Sequence, residues 1–275
     1  MKKYILIFIL LPFFFACEKK VNLKLEEMPP TIVVESIISS DAQESFVKLS
    51  WSKGLTSSNG HNDKLISDAQ VIVVDPQGND IIFTPDASKV YRTTTPALQT
   101  GIYRLKIDKD SHHVLATKQM PRAVVLNDFD IKEIRHDEWR DYELELFFQD
   151  DPNQKDYYMI TYTQTSSGHE WREDYLRPVL FSDTDYDTQA QRYKMSYYGY
   201  FPDNTPTRVK MRLYHIDKQV FDYFETLDKL GDMGFGSSPF TTSVPGNPNS
   251  VIENGIGYFI AAPVSRITKE FSFGD

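Results

Sequence analysis

Residues 69 to 85 read AQVIVVDPQGNDIIFTP. Two β-branched runs flank Pro76 to Asn79, and Gly78 stands where the turn between them calls for a positive φ. The same texture continues on both sides: TIVVESIISS from Thr31, SFVKLSWSK from Ser45, GIYRLKID from Gly101 and HHVLATKQM from His112 are short β-branched or aromatic runs set off by turn residues. Within SFVKLSW, Val47, Leu49 and Trp51 alternate and would line one face of a sheet. Short strands with frequent turns are the pattern of a β-sandwich. Residues 31–122 therefore read as an immunoglobulin-like β-sandwich that ends at Pro121.

A second β-rich region occupies residues 123–275. YELELFFQD from Tyr142, DYYMITYTQ from Asp156 and the segment Arg208 to Tyr214 are strand candidates, and DDPNQKD between the first two is a turn. HIDKQVFDYFETLDKLGD, from His215, places Ile216, Val220, Phe221, Phe224 and Leu227 at helical spacing, which predicts a helix near 215–230 ended by Gly231. Residues 237–254 are loop-like, and GIGYFIAAPVSRITKEFSF closes the chain as one or two strands. The fold class is thus mainly all-β: an immunoglobulin-like sandwich followed by a β-rich domain with one helix.

The N-terminus carries an address. Lys2 and Lys3 precede an apolar segment from Tyr4 to Phe15, and Ala16 stands just before Cys17, the single cysteine of 275 residues. That order is the pattern of a signal peptide over residues 1–16. The apolar run is too short for a spanning helix, which needs about 20 residues. A cysteine placed directly after it reads as the acylated first residue of a lipoprotein, followed by a charged tether over residues 17–30. More than one acyl chain holds a soluble domain stably on a bilayer. Without residues 1–16, 28 basic residues stand against 39 acidic ones. Such an acidic balance argues against binding to nucleic acid, which needs clustered Lys and Arg.

Several of these pieces together resemble a known family. Cys17, TIVVESII, GIYRLKI, the KQMP boundary, DDP with the following DYY, and the ending SSPFTTSVPGNPNSVIENGIGYFIAA are similar to the family called domain of unknown function 4249. Asn254, Gly255, Gly257, Tyr258 and Phe259 in order form its most specific piece. The resemblance implies an exported lipoprotein of Bacteroidota, a class often encoded beside TonB-dependent outer-membrane transporters. It brings no chemistry with it. Surface-exposed lipoproteins of that phylum often have acidic residues after the cysteine, whereas Glu18 here is followed by Lys19 and Lys20. Anchoring is expected, and the face of the outer membrane, cell surface or periplasmic, stays open.

The candidate sites are weak. Asp183, Asp185 and Asp187 alternate as at the start of a calcium loop, but Thr188 replaces its glycine and Lys194 its final glutamate, so a solvated acidic loop is expected. His112 and His113 would point to opposite faces of a strand, and His169–Glu170 lacks the second histidine of a zinc motif. Ser50 to Lys53 matches SxxK without the partner motifs of that enzyme class. Asp150 and Asp151, next to Pro152, read as the start of a turn rather than an acid/base pair. No catalytic residue, metal ligand or cofactor is assigned.

RYKMSYYGYFPDN is more informative: Tyr193, Tyr197, Tyr198, Tyr200 and Phe201 crowd into nine residues. Half of an alternating set reads as core, and rings that stay exposed are the best candidates for contact with a partner or ligand. The loop from Pro239 to Tyr258 is a second candidate. The expected function is a non-catalytic envelope lipoprotein that assists a TonB-dependent transporter in ligand capture or uptake, its ligand unspecified. The alternative is a structural or adhesive envelope protein with no transport role.

Overall fold

A computed structural model describes residues 29–52, 65–136, 139–166, 169–172, 178–185, 191–197, 199, 201–233 and 252–274. The first stretch of strands comprises β1 (Ile32–Ser39), β2 (Phe46–Trp51), β3 (Gln70–Val74), β4 (Asp80–Pro85), β5 (Tyr91–Arg92), β6 (Gly101–Lys109) and β7 (His112–Met120). After a linker come β8 (Leu126–Arg135), β9 (Arg140–Phe148), β10 (Tyr157–Ser166), β11 (His169–Arg172), β12 (Val179–Ser182), β13 (Arg192–Ser196) and β14 (Thr207–Ile216). Helix α1 (Lys218–Met233) follows, then β15 (Ile252–Glu253), β16 (Ile256–Ala262) and β17 (Val264–Phe271). The protein is mainly β with one α-helix among the described residues, as its alternating runs predict.

The hairpin of residues 69–85 forms as its turn chemistry dictates. Asp75 Oδ1 accepts from the amides of Gln77 at 2.9 Å and Asn79 at 2.8 Å, and Gly78 takes φ +88°. β3 and β4 pair antiparallel from this turn. Their inward residues Val71, Val73, Ile81 and Phe83 are buried, as are Tyr103, Leu105 and Ile107 of β6. This is period-two burial of one sheet face.

A single nine-stranded sheet runs in the order β15-β7-β6-β3-β4-β5-β2-β1-β16. Its two ends come from one segment of chain: β15 pairs with β7 and β16 with β1. Because Asn254 and Gly255 join them in a tight turn, the sheet curls to near closure. The strands predicted as an immunoglobulin-like unit are thus completed by residues 252–262, which lie far beyond position 122 in the chain. β1–β16 is the one parallel pairing in the described ladders.

The second part stacks a five-stranded sheet, β11-β10-β14-β17 with β12 also on β10, against a three-stranded sheet, β13-β9-β8. Phe129, Leu144, Leu146, Phe148, Tyr158, Ile160, Val209 and Met211 fill the space between them. A third apolar cluster joins the two parts: Ile37, Tyr258, Ile260 and Ala262 of the first sheet meet Met159, Tyr214 and Ile216 of the second, and Val220 and Phe224 of α1 close over them. Burying a side chain such as Phe224 contributes roughly 1.5–3 kcal/mol. β16 and β17 are separated only by Pro263, so one strand of chain belongs to both sheets.

The helix begins three residues later than its predicted start and runs through Gly231 to Met233. Asp217 caps it by accepting from the Val220 amide at 2.8 Å. Lys118 of β7, its side chain 1 % exposed, holds that cap at 3.1 Å and donates to Gln219 Oε1 at 2.9 Å. The helix is therefore pinned to the first sheet by a buried cation as well as by its apolar face.

Candidate functional site at the end of the β8–β9 ladder

Polar groups concentrate where the linker after β7 enters the second part. Arg122 lies on that linker, Asp150 follows β9, Asp156 precedes β10, Tyr158 and His215 stand opposite each other on β10 and β14, and Asp183 follows β12. Tyr158 donates its hydroxyl to Asp150 Oδ1, and Arg122 Nη2 donates to Asp156 Oδ2. His215 is bound at both ring nitrogens, Nε2 to Asp156 Oδ1 at 3.1 Å and Nδ1 to the Arg122 carbonyl at 2.8 Å. The Asp156 amide donates to Asp183 Oδ2 at 2.8 Å.

Burial sets the electrostatics. It raises the Asp183 carboxyl above the ordinary carboxylate range, with Asp150 and Asp156 adding to the shift. Burial and the bond to Asp150 hold the Tyr158 hydroxyl well above its ordinary value, so it stays a neutral donor. Asp150 is 2 % exposed on its side chain, and its Oδ2 is buried without a hydrogen-bond partner, as are Arg122 Nε and Asp183 Oδ1.

Beside this cluster the chain opens. The β8–β9 ladder ends at Leu126↔Phe148, and beyond that pair a cleft of about 570 Å³ is lined by Arg122 to Val125 on one side and Gln149 to Pro152 on the other. Asn127, where the register shifts, completes the first wall. The cleft is a fork between two diverging chain ends.

A family model matches this chain over residues 18–268, described as Domain of unknown function (DUF4249). The chain belongs to the DUF4249 family. No curated protein matches it. The segments that carried the family resemblance are those with unusual structural duties. DDP and DYY supply Asp150, Asp156 and Tyr158 to the buried cluster, Asn254 and Gly255 form the turn that brings the sheet's ends together, and Gly257 follows it in β16 at φ +115°.

The predicted aromatic surface requires a correction. Tyr197 and Phe201 are buried, packed with Tyr142, Tyr162 and Phe273, because Arg192–Ser196 form the outer strand of the three-stranded sheet and the two rings that follow it pack into the core. Tyr193 is half-buried and stacks on Phe181 with centroids 3.8 Å apart. Tyr198 and Tyr200 lie outside the described residues, as do Cys17, Asp187 and Lys53.

The remaining candidates resolve individually. Asp183 and Asp185 serve local bonds, the latter accepting from the Ser182 amide at 3.0 Å, and the described residues hold no group of three or more acidic, His or Cys residues placed for a metal ion. His113 binds Asp108 at 2.6 Å, whereas His112 lies edge-on to Trp51. His169 and Glu170 lie on β11, and Ser50 is in β2. Asp151 starts the predicted turn, accepting from the Asn153 amide at 3.0 Å. Sequence reasoning missed that Asp150 leaves this turn for the buried cluster. It also missed Arg122 and His215, which are far away in sequence. Of the loop from Pro239 to Tyr258, residues 252–258 are strand and turn, and the rest lies outside the described residues.

Proposed function

We propose that this protein is a non-catalytic cell-envelope lipoprotein of Bacteroidota type, anchored to the outer membrane through acylated Cys17, that assists a TonB-dependent transporter in ligand capture or uptake. The observation that carries this reading is the order Lys2–Lys3, Tyr4–Phe15, Ala16–Cys17 in a chain with one cysteine. In an oxidising compartment a solitary thiol is best accounted for as a lipid attachment point. No helix among the described residues is long and apolar enough to cross a membrane, so the reading rests on the lipid.

The geometry favours binding over catalysis. Tyr158 and both nitrogens of His215 are committed to partners inside the protein, which leaves them placed to hold Arg122 and the linker rather than to exchange protons with a substrate. The fork is open and polar, as a docking surface is.

Replacing Cys17 with Ala should move the protein from the membrane to the soluble fraction, and co-purification from detergent-solubilised membranes should recover a TonB-dependent transporter. Sedimentation of the Cys17→Ala protein with membranes would rule out the anchor. Purification of the native lipoprotein alone, with unchanged uptake in a deletion strain, would favour the structural or adhesive alternative.

A further inference from the structure

Among the described residues, the main chain at the mouth of the fork has no hydrogen-bond partner. Between the end of β7 and the start of β8, Ala123, Val124 and Val125 make no hydrogen bond through N–H or C=O with another described residue. Their side chains nevertheless alternate as in a strand: Ala123 is exposed, Val124 buried, and Val125 64 % exposed. Across the fork Gln149, Asp150 and Asp151 have drawn away from the position at which a continued ladder would pair them, and Pro152 has no N–H with which to pair. Three residues whose burial alternates as in a strand thus face an open cleft of about 570 Å³ with their main chain unclaimed by any described residue.

The charge beside this edge is unbalanced. Asp150 and Asp151 line the cleft against a single lining cation, Arg122, whose Nη2 bonds Asp156 and stands 3.8 Å from Asp150 Oδ1, so one guanidinium is shared between two buried carboxylates and none faces Asp151. Asp150 Oδ2 has no donor, although its side chain is 2 % exposed. Buried carboxylate charge that lacks a full set of donors projects a negative potential into a low-dielectric cleft.

We propose that the fork accepts an extended peptide segment of a partner protein, paired with the main chain of Ala123–Val125 and carrying a Lys or Arg side chain directed toward Asp150 and Asp151. Strand addition draws its affinity from main-chain hydrogen bonds and its specificity from flanking side-chain contacts. Here Val125 gives the apolar contact and the aspartates select the charge. The inference names the chemistry of a partner, and it rests on the accessory reading above only for which protein supplies the segment.

The test uses the purified protein and three probes: fluorescently labelled Val-Lys-Val-Thr-Val with blocked ends, the same peptide with glutamate in place of lysine, and maltoheptaose. The lysine peptide should bind and slow hydrogen exchange over residues 121–127. Val125→Pro, which removes one N–H at an exposed position, should weaken binding by about tenfold, whereas Val125→Ala should retain it. Asp151→Lys should weaken the lysine peptide by about fivefold and favour the glutamate one. Absence of binding by either peptide, equal binding of both, or retention of affinity in Val125→Pro with an unchanged melting temperature would overturn the proposal. Protection of residues 121–127 by maltoheptaose and by neither peptide would assign the fork to a glycan and overturn it as well. These outcomes are independent of where the Cys17→Ala protein fractionates, so either reading can fail alone.

Discussion

Gly257 stands opposite Val34 in the parallel β1–β16 ladder with φ +115°, and a Cβ at that position would collide with the carbonyl oxygen of Val34. Backbone cannot move aside as a side-chain tip can. Gly257→Ala should therefore force β16 away from β1 and open the closure of the first sheet. A loss of roughly 3 kcal/mol is expected from strain and broken pairing, read as a lowered melting temperature. An unchanged melting temperature would show that the ladder does not hold the sheet closed.

Tyr158 and Asp150 form the second pair to probe. Tyr158→Phe keeps the buried ring and leaves Asp150 Oδ1 without its hydroxyl donor, a change that should cost roughly 1–3 kcal/mol. Asp150→Asn in the same background should cost less than it does alone, because the carboxylate charge is no longer stranded. A denaturant-based double-mutant cycle measures the coupling, and strict additivity would mean that the two groups do not interact.

Acid stability should depend on Glu145. Lys132 Nζ at 2.6 Å and Lys194 Nζ at 2.6 Å hold its carboxyl down to about 2, against 4.5 when unperturbed. The folded state therefore gives up the proton at lower pH than the unfolded state does. The contribution is complete above pH 4.5 and disappears as pH falls through about 2. Glu145→Gln should flatten the dependence of stability on pH across that window, and a parallel profile in the two proteins would contradict this.

Lys118 is the buried cation that ties the N-terminus of α1 to β7 through Asp217 and Gln219. Lys118→Met fills a similar volume but deprives both of their donor. Hydrogen exchange should rise in α1 before it rises in the sheets, with a loss of roughly 1–3 kcal/mol in stability. Uniform change across all elements would show that the helix is held by its apolar face alone.

Alternation at Val47, Leu49 and Trp51, the turn at Pro76–Asn79 and the helical spacing of Val220 and Phe224 were all legible in the sequence, because each depends on neighbours a few residues away. Tyr197 and Phe201 were ambiguous for the same reason. A run of aromatics reads alike whether it is core or surface, and only the packing of Tyr142, Tyr162 and Phe273 against it decided for core.

The sequence by itself determined the β-class and the one helix of the described residues, since periodicity and turn residues are local properties of the chain. The tertiary structure decided that residues 252–262 complete the first sheet and that Arg122, Asp150, Asp156 and His215 meet at one buried point. The physical reason is distance along the chain: β1 and β16 lie more than two hundred residues apart, and parallel pairing leaves no turn between them to announce it. Asp150 illustrates both halves, for the Asp-Asp-Pro stretch read as a turn, and only the folded structure placed the Tyr158 hydroxyl within reach of its carboxylate.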